Sequence, residues 1–189
     1  MRRSLLILVL CVLAAPAAVA QQVGPPFSFG TPTDGEAEGP MTPARMGRIL
    51  RRIDEDAQSQ ANVWQLTVAE TRVIVVFDTV ADRMRVISPV RPAEGITSEE
   101  MARMMQANFD SALDARYAIA NDTLWSAFIH PLSSLGSDQL VTGIGQVVNL
   151  QQSYGTLYSS GMLQYEGGDS EALQRQLIDD LLERTQTEI

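Results

Sequence analysis

The sequence has very few of the residue types that bind metals or carry redox chemistry. It contains one cysteine and one histidine in 189 residues, and no lysine. The cysteine, Cys11, lies in an apolar run near the amino terminus, so residues 21–189 contain no thiol. Disulfide bonds, cysteine-based zinc sites and redox motifs are therefore excluded from that part of the chain. We expect neither a metal site nor another cofactor.

Positive charge is also scarce. The chain carries 14 basic against 23 acidic residues, a net charge of −9 at pH 7, and every basic residue is an arginine. Such a balance repels phosphate backbones and anionic lipid surfaces. Nucleic acid and membrane surfaces are therefore unsuitable partners.

Long apolar runs are absent after the first twenty residues. Within those twenty, Arg2 and Arg3 precede the apolar run 5–15, and Ala18-Val19-Ala20 supplies a site of small residues for signal peptidase. This pattern is typical of a cleavable secretory signal. It predicts cleavage after Ala20 and a periplasmic or secreted protein without a membrane span.

The remaining composition divides the chain into segments. Glycine and proline are frequent in the segment that follows the signal, which is typical of a disordered tether. The predicted organisation is a signal peptide at 1–20, a disordered tether at 21–40, a folded domain at 41–160, and a linker with a C-terminal amphipathic helix at 161–189.

Hydrophobic periodicity predicts the elements of the folded domain. The expected order is a helix at about 42–57, strands at 62–69, 72–79 and 83–90, a helix from 97, strands at 115–120 and 123–131, a helix from about 137, and a last helix from 169 or 170. Short connections between consecutive strands favour antiparallel pairing. The fold class is therefore α+β: a two-layer sandwich with a five-stranded antiparallel sheet, helices on one face (α-β-β-β-α-β-β-α) and an added C-terminal helix.

Three local signals support this order. Thr42-Pro43 is typical of a helix N-cap followed by proline at the first helical position. Thr97 with Glu100 matches a capping box. Asn121-Asp122 is a favoured pair for a tight hairpin turn.

The pattern of these segments resembles two related families. The matching stretches are the helix "TPARMGRILRRI", the hairpin "RVIVVFDTVADRMRVISPV", "TSEEMARMMQANF", "RYAIANDTLWSAFIHPLSSL" and the helix "SDQLVTGIGQVVNLQQSYG". They resemble the class I type III secretion chaperone fold and its relative, the YbjN-domain family. The resemblance implies a homodimeric protein that binds another protein without catalysis. The export signal, tether and C-terminal helix depart from the secretion chaperones and favour the YbjN-like branch.

Two strands are apolar in both directions, so helices on one face of the sheet can cover only half of their side chains. We expect an apolar patch of Ile74, Val76, Leu124 and Phe128 on the face away from the helices. The C-terminal helix folding back, a second copy of the chain, or a client segment could cover this patch.

A methionine stripe on the second helix is a further candidate contact surface. Met101, Met104 and Met105 form a flexible, polarisable group suited to adaptable binding. Methionines at helical spacing more often pack in the core, and this interpretation is favoured. In the resembled families this helix contributes to the dimer, so both interpretations can hold.

The function predicted from these features is an exported, non-enzymatic, chaperone-like module that binds a protein partner. The rival is a small hydrolase or ligand-metabolising enzyme that uses His130, although no second histidine and no marked triad accompanies it. A third hypothesis is a structural or regulatory envelope protein whose C-terminal helix is the interaction element.

Overall fold

A computed structural model describes residues 39–110, 113–155 and 169–186, with side chains except those of 110 and 169–174. The predicted signal peptide and almost all of the predicted tether lie outside these residues. The elements are α1 (Pro43–Ile53), β1 (Gln58–Gln60), β2 (Val63–Val68), β3 (Thr71–Asp78), β4 (Arg83–Pro92), α2 (Ser98–Asp110), β5 (Arg116–Ala120), β6 (Thr123–His130), α3 (Ser137–Gln152) and α4 (Asp169–Gln186). Of the helices in the described ranges, none has the length and apolar character needed to cross a bilayer.

The strands form one open antiparallel sheet in the order β1-β2-β3-β4-β6-β5. The predicted α+β class, with helices layered on an antiparallel sheet, is confirmed. The sheet has six strands rather than five. The additional strand, β1, consists of Gln58, Ser59 and Gln60, all exposed. It has no alternation of apolar and polar residues, so the sequence pattern gave no signal for it.

Helix α1 ends at Ile53, whereas the periodicity predicted an end near 57. Asp54 leaves the helix in an extended conformation. Its carboxylate accepts hydrogen bonds from the backbone N–H of Asp56, at 3.0 Å, and of Thr67, at 2.8 Å. Such side-chain bonds to the backbone compete with helix continuation and turn the chain toward the sheet.

The predicted caps and turn are confirmed. The Thr42 hydroxyl accepts a bond from the backbone N–H of Arg45 at 3.2 Å. Thr97 and Glu100 form a reciprocal capping box, and these bonds from Thr97 hold the pKa of the Glu100 carboxyl below its ordinary value. Asn121 and Asp122 both have positive φ, at 48° and 56°, as expected for a tight hairpin turn.

Helix α3 lies close against the sheet and supplies much of the core. A Cβ at Gly143 would lie 2.7 Å from Cδ1 of Phe128, so the approach of α3 to β6 requires glycine there. Next to this contact, the buried Ser126 hydroxyl donates to the carbonyl of Val147 at 2.9 Å. The fully buried aliphatic side chains of α3 are Leu140, Val141, Ile144, Val147 and Val148. One face of the sheet is therefore covered by this helix.

Helix α4 packs on α3 and α1. A Cβ at Gly145 of α3 would lie 2.6 Å from Cγ1 of Ile178, which places the two helices in close contact. Leu181 is 1% exposed in this seam, and Arg52 of α1 donates to the carbonyl of Thr185 at 2.9 Å. The C-terminal helix therefore packs on the helix layer and is not the element that covers the predicted apolar sheet patch.

Candidate functional site

The candidate site is the sheet surface opposite α3, which we call the open face. Its side chains alternate along each strand with the buried ones. They are Val63, Gln65, Thr67, Arg72, Ile74, Val76, Asp78, Arg83, Arg85, Ile87, Pro89, Arg116, Ala118, Ala120, Thr123, Trp125, Ala127 and Ile129. Every one of them is at least partly exposed. None of the described helices removes a side chain of this face completely from solvent.

Strand register arranges the open face into two rows. The first row runs across β2, β3, β4 and β6, and the second continues to β5. The first consists of Val63, Val76, Arg85 and Ile129, and the second of Gln65, Ile74, Ile87, Ala127 and Arg116. Their centre is a continuous aliphatic strip that includes Ile74, Val76 and Ile87. Ile129, at the end of the first row, is 51% exposed.

The structure divides the four predicted patch residues between the two faces. Ile74 and Val76 lie on the open face, as expected. Leu124, 0% exposed, and Phe128, 5% exposed, lie instead under α3, so their assignment to the uncovered patch is wrong. Both sets of β6 side chains are apolar, so the alternation alone could not show which set shares a face with Ile74. The pairing of β4 with β6 decides this.

The residues of β6 that do lie on the open face are Trp125, Ala127 and Ile129. Ala127 pairs with Ile87, and Ile129 pairs with Arg85. The Trp125 indole N–H donates to the carbonyl of Ala120 at 3.0 Å, which holds the ring to the end of β5. Sequence reasoning recognised these three side chains as one set but assigned the opposite set to the site.

Charge on the open face has the opposite sign to that of the whole chain. The strands place Arg72, Arg83, Arg85 and Arg116 on this surface and only one acid, Asp78. The chain as a whole carries a net charge of −9. The open face is therefore a locally basic surface on an acidic protein.

Arg85 is the central cation of this surface. It lies between Val76 and Ile129 in the first row and is exposed. In the described part of the chain its guanidinium has neither a hydrogen bond nor an ion pair. The one acid, Asp78, uses an oxygen to accept bonds from the turn N–H groups of residues 80 and 81, at 2.8 and 2.9 Å.

A second apolar surface lies on α2 and the neighbouring edge strand. The predicted methionine stripe is split, because Met104 is 1% exposed and packs in the core while the other two methionines are exposed. The exposed side chains, which we call the α2 patch, are Met101, Met105, Phe109, Leu113 and Ile119. Phe109 is 82% exposed. Neither Leu113 nor Ile119 was predicted from the sequence. The contact of β5 with α2 brings the strand that carries Ile119 beside this helix.

The edge of β5 is partly closed by α2. The Asn108 side-chain amide donates to the carbonyl of Tyr117 at 3.2 Å and accepts from its N–H at 2.7 Å. Asn108 thus takes the place of a neighbouring strand residue at this edge. Because unpaired strand edges are the usual sites of strand addition, this contact protects part of the β5 edge from pairing with another chain.

His130 is the last residue of β6 and packs against Phe128. Its ring stacks on Phe128, with centroids 5.9 Å apart and planes at 14°. Its Nδ1 lies 2.8 Å from the carbonyl oxygen of Pro131. Within the described residues it contacts no carboxylate or hydroxyl that could form a triad, and no cluster of three metal-binding side chains is found there.

No protein-family profile matches this chain, and no curated protein does. Similar solved structures include the HopA1-SchA chaperone-effector complex, with 9% identity and a TM-score of 0.45 over 58% of this chain and 91% of that chain. The Yersinia pestis type III secretion chaperone SycH, in complex with a stable fragment of YscM2, is 12% identical with a TM-score of 0.44 over 57% and 98%. The ExsC-ExsE complex is 12% identical with a TM-score of 0.47 over 63% and 97%. These likenesses are distant.

Proposed function

We propose that the protein is an exported, non-enzymatic, chaperone-like module that binds a protein partner on the open face. The observation that carries the proposal is the aliphatic strip of Ile74, Val76 and Ile87, which continues to Ala127 and Ile129 without a covering helix. Contiguous apolar surface of this kind marks an interaction site in a folded protein.

The free energy available from covering the strip supports binding. Burial of apolar surface contributes about 25 cal/mol per Å², or roughly 1.5–3 kcal/mol for each large aliphatic side chain taken fully out of water. The strip residues are already half-buried by their neighbours, so a partner gains part of that amount at each position. Several such contacts together favour the binding of a protein segment.

Export and the YbjN-like affiliation belong to the same proposal. Residues 1–20 have the charged start, apolar run and small-residue site of a secretory signal. The open face and the α2 patch then act in the periplasm or outside the cell. The motifs that resemble the YbjN-domain family support a binding role.

The proposal is tested in the cell that makes the protein. A photo-crosslinking amino acid at position 125 is expected to join the protein to a partner in the envelope, and the same group at Gln176, which is exposed on α4, is not. The mass of the recovered protein is expected to match a chain that begins at Gln21. Retention of residues 1–20, or equal crosslinking from both positions, contradicts the proposal.

We further propose that the chain forms a homodimer through the α2 patch. A two-fold contact through the open face would bring two basic surfaces together, and like charges facing each other are unfavourable. On α2 the charged neighbours are paired: Arg103 binds Glu99, and Arg91 lies 4.0 Å from Glu100. The α2 patch is therefore the better surface for a second copy.

A Phe109→Glu variant is expected to convert this dimer to a monomer in light scattering. The substitution replaces the most exposed aromatic side chain of the α2 patch with a carboxylate, and an unpaired charge is costly where the proposed dimer buries it. Val80→Glu is the matched control, because Val80 is 96% exposed in a turn away from the patch. A wild-type chain that is monomeric at every concentration contradicts the dimer.

A further inference from the structure

We propose that the open face selects a partner segment that is both aliphatic and acidic. This inference rests on the proposed function and names the chemistry of its partner. The face offers an aliphatic strip with guanidinium groups inside it and at its ends. The complementary ligand is a peptide segment with branched aliphatic side chains and carboxylates.

The position of Arg85 carries the inference. Adjacent strands lie about 4.8 Å apart, so Val76, Arg85 and Ile129 follow one another across the sheet within about 10 Å. A segment that covers both aliphatic side chains must pass over the guanidinium between them. Removing an unpaired cation from water is costly. A carboxylate on the segment offsets that cost, and arginine binds carboxylates in a bidentate geometry.

The neighbouring arginines extend the same preference. Arg116 ends the second row beside Ala127, and its guanidinium also donates to the backbone carbonyls of Leu113 and Ala115. Arg72 donates to the side-chain oxygen of Gln65 at 2.8 Å, which orients its guanidinium along the face. The carboxylate of Asp78 accepts hydrogen bonds from backbone N–H groups of the turn that follows it. Because the whole chain is strongly acidic, its overall field attracts a basic partner. A preference for an acidic segment would therefore be a property of this face alone.

A nucleic acid is the other ligand that arginines attract, and the face suits it less well. Single-stranded nucleic acid binds where aromatic side chains stack on successive bases. Here the rows between the arginines are aliphatic, and among the described residues Trp125 is the one aromatic ring on the open face. The side chains of Ile74 and Ile87 can pack against aliphatic side chains of a peptide. A protein segment is therefore the occupant that fits this face.

The experiment compares two labelled synthetic peptides by fluorescence anisotropy: one alternates valine and glutamate, and the other alternates valine and lysine. The mature protein is expected to bind the glutamate peptide more tightly, with an affinity that falls as salt is added. Arg85→Glu should weaken that binding at least about tenfold, the loss expected for a hydrogen bond to a charged group, and should strengthen binding of the lysine peptide.

Arg48→Glu is the matched control, since it makes the same change in net charge at an exposed position on α1, and it should leave both affinities unchanged. Equal affinities for the two peptides, lost on Ile74→Asn but insensitive to Arg85→Glu, overturn the acidic preference and leave the proposed function standing. Insensitivity to both substitutions contradicts both. An oligonucleotide that binds more tightly than the glutamate peptide overturns the assignment to a protein segment.

Discussion

A Leu181→Ala variant is expected to lose about 2–5 kcal/mol of unfolding free energy, the range measured for large-to-small substitutions in cores. Leu181 of α4 is 1% exposed, and α4 packs on α3 and α1. Truncation removes its buried methyl groups and leaves a cavity in that seam. Urea denaturation followed by circular dichroism measures the difference.

The control for this prediction is Gln176→Ala on the exposed side of the same helix. Its effect should stay within about 0.5 kcal/mol, as for most surface substitutions. If Leu181→Ala is no more destabilising than Gln176→Ala, α4 does not belong to the folded core.

The position of α4 on the helix layer determines which surface its deletion would expose. Had α4 covered the open face, its deletion would expose the aliphatic strip and create a new binding surface. Because it packs where Gly145 meets Ile178, deletion instead uncovers the helix layer. We therefore expect loss of α4 to destabilise the chain without improving partner binding.

Much of the fold could be predicted because local signals and periodicity agreed. The N-cap at Thr42, the capping box of Thr97 with Glu100, and the Asn121-Asp122 turn each begin or end an element by bonds within a few residues. Such bonds can be inferred from the sequence because both partners are close along the chain. The alternating apolar residues of β3 likewise gave its two faces correctly.

The parts that were missed depend on contacts between distant residues. The polar strand β1 exists because it pairs with β2, a long-range choice with no hydrophobic pattern of its own. Ile119 joins the α2 patch because β5 packs beside α2. Sequence periodicity treats Gly143 and Gly145 as weak points in a helix, but the structure shows them as contact points for Phe128 and Ile178.

Two adjacent residues of β6 lie on opposite faces of the sheet, so substitutions at them can be compared directly. Phe128 and Ile129 are adjacent in sequence, yet Phe128 lies under α3 and Ile129 on the open face. Phe128→Ala is expected to cost about 3–5 kcal/mol of unfolding free energy. The cavity forms where α3 approaches the strand at Gly143, and the loss should appear as a lower urea midpoint with an unchanged slope.

Ile129→Asp is expected to have the opposite consequences. An exposed position tolerates a carboxylate with little change in stability, and Arg85 beside it on β4 can pair with the new charge. The substitution should therefore leave the urea midpoint close to that of the wild type. It removes an end of the aliphatic strip and places an acid beside the cation that the partner needs, so binding of the valine–glutamate peptide should fall at least about tenfold, the loss expected for a hydrogen bond to a charged group. If Ile129→Asp unfolds the protein while Phe128→Ala does not, the two faces of β6 are reversed, and Leu124 and Phe128 return as the binding residues.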